Sequence, residues 1–231
     1  MAKALFILFK DYSLTHDGGS QANMRSLRLS RQILGEENVD CYYIHDIHLH
    51  RSLLSRFRAT WLFSMGYFNG LTPEKVREII RRSSDYDYVF ITNSIFGLVA
   101  KALKPAGYKG RIISFFHNVE SIYYESRVPK RLPLRKMIID CAARNDHDAL
   151  YYSDTVIGLC ERDNQILKRL YGKGFDVLAP ISFADKCKDL RFDTEAMTNK
   201  RPKCTFIGSN FPANANGILW FVKNVLPHVN I

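Results

Sequence analysis

Long apolar runs are missing from this 231-residue sequence. No stretch approaches the roughly 18 residues that a membrane-spanning helix needs. The opening "MAKALFILFKDY" is too short in its apolar part for a signal peptide and offers no small-residue cleavage site, so it reads as a first strand. Cysteine pairing is also missing. Cys41, Cys141, Cys160, Cys187 and Cys204 are odd in number and widely spaced, with no C-x-x-C among them. That excludes a disulfide framework and fits reduced thiols in the cytoplasm. No repeat of solenoid length occurs, no Ser/His/Asp or Cys/His nucleophile pattern stands out, and the G-x-G-x-x-G dinucleotide fingerprint is not met.

What is present is enough apolar material for a sizeable core. Hydrophobic residues make up 46% and aromatics 13%, which rules out disorder by composition. The charge is basic, 33 Lys and Arg against 23 Asp and Glu for a net +10. Such a balance suits an anionic partner. Nucleic acid is set aside, because no helix-turn-helix, RRM or zinc-finger pattern accompanies the charge.

Short apolar runs alternate with helix-period stretches. "KALFILF", "VDCYYI", "YVFIT", "RIISFF", "TVIGLC" and "FDVLAP" read as strands. Between them, "TPEKVREIIRRSS" opens with Thr72 as N-cap and Pro73 at the first helical position, and "ERDNQILKRLYG" closes on Gly172. Gly18 and Gly19 precede Ser20, taken as the N-cap of the first helix. The alternation predicts an α/β fold, a Rossmann-like parallel sheet with helices on both faces. Its helix starts lie at the carboxyl edge, where such folds bind ligands. Residues 182–202 turn polar and read as a linker after a domain at 1–181. A fresh strand and helix then occupy 203–231.

Four stretches carry a family resemblance: "HDGGSQANMRSL", "FFHNVES", "GLCERDNQILKRLYG" and "CTFIGSNFPANANGILWFVKNVLPHV". In order and spacing the chain resembles the family 4 glycosyltransferases, with their two facing Rossmann-like domains (the GT-B architecture). The resemblance implies the acceptor-side domain and only the first strand and helix of a truncated nucleotide-sugar domain. It implies retaining, metal-independent transfer of a sugar from a nucleotide diphosphate donor to a lipid-linked or saccharide acceptor, in surface polysaccharide synthesis. It calls for no cofactor beyond the nucleotide sugar as co-substrate. This chain alone is then expected to be inactive, and its unpartnered tail to dock or self-associate.

The residues allow the following site, each with a plainer alternative. His117 follows "RIISFF" at the ligand edge, where a packed or capping histidine is the alternative; the resemblance makes it the catalytic candidate. Gly18, Gly19 and Ser20 form either a phosphate-facing turn or an ordinary glycine loop. Asn118, Glu120 and Glu161 are further substrate- or donor-binding candidates, and Glu161 could simply complement a helix dipole. Gly208 and Ser209 complete the donor side by resemblance. Ser209, Asn210, Asn214 and Asn216 stand where many members carry an Arg and a Lys that clamp the donor diphosphate.

No metal site is expected. Asp85 and Asp87 precede their strand and lie at the wrong edge, and "HDIHLH" reads as an acceptor-side loop. The segment 50–70 mixes Arg51, Arg56 and Arg58 with Trp61 and other aromatics. It suits peripheral contact with an anionic membrane surface on its inner face, or else a cationic surface over packed apolar residues. The competing functional reading is a non-catalytic Rossmann-like module that binds such a surface or a protein partner.

Overall fold

The computed structural model describes residues 1–11, 18–45, 53–182, 205–208 and 212–229. The chain divides into two compact units, Met1–Ile181 and Ser182–Ile231. Among the described residues the first unit is a six-stranded sheet: β1 (Ala4–Leu8), β2 (Val39–Tyr43), β3 (Tyr88–Ile91), β4 (Arg111–Phe116), β5 (Thr155–Gly158) and β6 (Val177–Leu178). Every pairing is parallel, in the order β2-β1-β3-β4-β5-β6. The fold is α/β and Rossmann-like, as the alternation predicts. Residues of β1 are buried throughout, which is why the strand reads as an unbroken apolar run rather than an alternating one.

The helices are α1 (Gly18–Leu34), α2 (Leu53–Ser64), α3 (Pro73–Ser83), α4 (Gly97–Leu103), α5 (Glu120–Arg127), α6 (Arg135–Tyr152) and α7 (Glu161–Tyr171). Local chemistry sets their ends. The Thr72 side chain accepts the amide of Lys75 at 3.4 Å and Pro73 opens α3. Gly172, at φ 75°, terminates α7 in the left-handed conformation that a Cβ disfavours. Gly97 lets α4 lie against α6, since a Cβ there would stand 2.0 Å from the carbonyl oxygen of Asn145. Asn145 in turn accepts the Leu98 amide and donates to the Gly66 carbonyl, both at 2.9 Å.

The two faces of the sheet are dressed unequally. Leu5, Ile7, Val89, Ile91 and Ile112 point to one face and pack on Val76 and Ile79 of α3, Val99 and Leu103 of α4, and Cys141 and Ala142 of α6. Phe116 and Val156 extend that face onto Ala149, Leu150 and Leu167 of α6 and α7. The opposite face, with Ala4, Phe6, Leu8 and Val39, packs on Leu27 of α1.

Two expectations are corrected. Helix α1 starts at Gly18, so Ser20 is not its N-cap but a buried residue of the first turn. In the second unit, residues 205–208 form no strand; the helix α8 (Pro212–Asn224) follows, then a 3-10 turn at Leu226–His228. A strand exists only through hydrogen bonds to a neighbour, and none pairs with 205–208 among the described residues.

Candidate functional site

Strands β1 and β3 are neighbours whose chains leave in opposite directions, to β2 and to β4, so the carboxyl edge opens a crevice there. Three connections meet at this edge: the start of α1 after β1, Asn93–Ser94 after β3, and His117–Glu120 after β4. His117 is half-buried, its ring edge-on to Phe115 with centroids 4.8 Å apart. Its Nε2 meets Oδ1 of Asn23, on α1, at 2.8 Å. An amide oxygen only accepts, so Nε2 is the donor of this pair. The second turn of α1 thus fixes the histidine beside that helix's glycine start.

The same connections hold a pair of buried carboxyl groups, Glu120 and Asp146. Asp146, in the middle of α6, accepts the Ser94 hydroxyl at 3.0 Å and the amides of Glu120 and Ser121 at 3.2 and 2.8 Å. It therefore caps the start of α5 from a different helix, a role no side chain at Val119 performs. Burial pushes the Asp146 carboxyl up to about 6, against the pull of these donors. Glu120, 3% exposed, is pushed up to about 8, first by burial and then by the Asp146 charge. Hydrogen bonds from Asn118 and Asn93 oppose that rise. Both carboxyls are thus raised, each by burial before anything else, and the pair keeps protons to higher pH than separate surface carboxylates would.

The structure thus brings Gly18, Gly19, Ser20, His117, Asn118 and Glu120 to one edge. Glu161 opens α7 at the same edge but is exposed and accepts from Asn164 and Gln165 of its own helix, contacts that lower its pKa. Gly208 belongs to the second unit, and Ser209 and Arg51 lie outside the described residues. Arg56 lies within α2, which is described only as backbone at that point; Arg58 and Trp61 are exposed on it. Asp87 accepts the Lys3 amide at the amino edge, away from the crevice. Of "HDIHLH" only His45 is described, at φ 51°. No metal-holding group of three His, Cys, Asp or Glu side chains occurs among the described residues.

Sequence reasoning missed Asn23, Asn93, Ser94 and Asp146. One signal was available for Asp146: "RNDHDAL" interrupts an otherwise core-facing helix with Asn145, Asp146 and Asp148, all buried, and buried polar groups need partners. Hollows occur elsewhere, about 540 Å³ at the amino edge around Tyr86, Tyr108 and Arg111 and about 730 Å³ between Ser64 and Lys136. Both are open to solvent, and neither gathers a buried titratable group.

Comparison with known proteins brings no support for the family resemblance. No family model matches the chain, and no curated protein matches it. Among solved structures, an azoreductase from Bacillus anthracis str. Sterne is similar with a TM-score of 0.30 and 12% identity, over 74% of this chain and 94% of that one. The family 4 glycosyltransferase reading is therefore corrected: no family model and no curated protein supports it. With it fall the sugar-transferase activity, the polysaccharide role, and the expectation of a nucleotide sugar with no cofactor. The short motifs that suggested that family are what any parallel α/β sheet places at its carboxyl edge: a glycine turn, a polar residue after a strand, an acidic helix start.

The membrane-contact reading of 50–70 finds no support among the comparisons. Helix α2 is tied to α6, where Arg144 donates to the carbonyls of Ser64 and Phe63 at 2.6 and 2.7 Å. Ala59 and Leu62 of α2 are buried, and Phe63 meets Phe68 edge-on at 5.3 Å. No described helix is long and apolar enough to cross a membrane.

Proposed function

We propose that the first unit binds a phosphate-bearing small molecule at the carboxyl edge, between the start of α1 and the His117–Glu120 connection. The observation that carries this reading is the His117–Asn23 pair. It sets a hydrogen-bonding imidazole beside a helix start where Gly18 and Gly19 leave the backbone approachable. Helix α1 has three arginines and no acidic residue along its length, and its amino-terminal amides favour an anion. His117 and Asn118 are the side chains that touch the ligand. Asp146 accepts the amides of Glu120 and Ser121 and so holds their loop, and burial lets the Glu120 carboxyl keep its proton to higher pH than usual, which gives the loop a donor as well as an acceptor.

The test is calorimetric titration with inorganic phosphate, sugar phosphates, and adenine, uridine, nicotinamide and flavin nucleotides. At least one phosphorylated compound is expected to bind. His117→Ala should weaken that binding tenfold or more, and Asn23→Ala should act in the same direction by less, with melting temperatures little changed. Full affinity in the His117→Ala protein, or no binding by any member of the panel, would overturn the assignment.

A further inference from the structure

The amino-edge hollow lies between the end of α3 (Ile80, Ser83 and Ser84), the entry to β3 at 86–88, and the turn at 106–111 that leads from α4 into β4. All of its lining residues are described. Its volume of about 540 Å³ falls among small-molecule pockets, which run from about 300 to 1,000 Å³. The walls are fixed by the protein's own bonds. The Tyr108 hydroxyl donates to the Tyr86 carbonyl at 3.1 Å, and the Tyr86 hydroxyl to Asp40 at 2.6 Å. Gly110 passes hard against Tyr108: a Cβ there would stand 2.3 Å from the Tyr108 hydroxyl and 2.4 Å from the Asp87 carbonyl oxygen. The Arg111 amide then donates to that same carbonyl at 2.8 Å. Two phenol rings are thus held before anything binds, which lowers the ordering cost of binding.

The free charge around the hollow has one sign. Lys109 and Arg111 are exposed, and their side chains form no salt bridge among the described residues. Arg111 acts on Asp154 at a distance, but Lys104 Nζ already pairs with that carboxylate at 2.6 Å. Asp87, the one acidic residue of the lining, accepts the Lys3 amide at 2.8 Å. The end of α3 offers a cation little either. The carbonyls of Ile80 and Arg81 accept the Ser83 and Ser84 hydroxyls at 2.7 and 2.9 Å. Those of Arg82 and Ser83 accept the amides of Asp85 and Tyr86 at 3.2 and 3.0 Å. Unpaired cations beside fixed aromatic rings suit a ring that carries a negative charge.

We infer that this hollow binds a small aromatic carboxylate, its ring against Tyr86 and Tyr108 and its carboxylate on Lys109 and Arg111. This is a second site, and it does not rest on the phosphate ligand proposed for the carboxyl edge.

The probe is 2-naphthoate, followed by its own fluorescence in equilibrium dialysis against the whole chain. It should bind at least tenfold tighter than the uncharged 2-naphthamide, and a tenfold excess of acetate should not displace it. The double variant Lys109→Ala/Arg111→Ala changes two exposed side chains and should melt at nearly the wild-type temperature while binding naphthoate at least tenfold more weakly. His117→Ala should bind it as the wild type does. No binding of naphthoate, equal binding of the amide, or full affinity in the double variant would overturn the inference. So would loss of binding in His117→Ala alone, which would place the compound at the carboxyl edge.

Discussion

At the amino edge of the sheet, aspartates close strand ends in the open. Asp87 accepts the Lys3 amide at 2.8 Å, Asp176 the Val156 amide at 2.8 Å, and Asp154 the Ile112 amide at 2.9 Å while also taking Lys104 Nζ at 2.6 Å. At the carboxyl edge Asp146 does the same work for α5, accepting two amides and a hydroxyl, but in the dark of the core. Burial works against the Asp154 charge as well, yet Lys104 and the Ile112 amide outweigh it and hold its pKa below the usual carboxylate range. At Asp146 no cation answers among the described residues, and both it and Glu120 rise. The same capping chemistry is therefore a clamp where lysine and water reach it, and a proton store where they do not. One edge serves stability; the other carries a poised group.

The contrast breaks most sharply at Asp146. Asp146→Ala leaves three buried donors without an acceptor, and urea denaturation should show a loss of about 3 kcal/mol or more. Next comes Glu120. Its folded pKa lies above its unfolded value, so the protonated form is the one folding favours. Its contribution is complete below about pH 4.5 and is lost as pH rises through 8. Wild-type stability should therefore fall across that window by as much as about 1.4 kcal/mol per pH unit. Glu120→Gln keeps the neutral shape and should flatten the slope. A stability curve of the variant that still falls with pH would place the proton elsewhere.

The smallest effect is expected at the amino edge. Asp154→Asn keeps an acceptor for Ile112 but loses the charge for Lys104, a pair more than a third exposed, and should cost no more than about 1 kcal/mol. Its sign is opposite to that of Glu120. A depressed pKa gives stability that is present above the unfolded value and lost as pH falls through the folded one. The variant should thus be less sensitive to acid than the wild type, measured by the midpoint of acid unfolding.

These residues also show where sequence is readable. Strands such as Ala4–Leu8 announce themselves because burial on both faces removes polar residues from them. The ends of α3 and α7 announce themselves because Thr72, Pro73 and Gly172 act on their own backbone. His117 was visible from its place after β4. Its support was not, because Asn23 comes from another crossover, and Asp146 reaches Ser94 across 52 residues and Ser121 across 25. Partners set by tertiary folding leave no spacing to read. The start of α1 was misjudged for a local reason: Gly18 and Gly19 look like a turn, and the helix includes them. The family resemblance failed for a related one, since short motifs fixed by strand ends are shared by folds with different chemistry.

The 94-residue separation between Asn23 and His117 has a consequence in time. Strands β1 and β2 with α1 between them need only the first 43 residues, whereas the histidine arrives only after β3 has inserted beside β1 and β4 beside β3. Contacts so distant along the chain close late, because loop entropy must be overcome first. A partly folded chain therefore owns the glycine turn but not the imidazole. A ligand that needs both recognises only molecules that have finished assembling four strands, and it draws the population toward them.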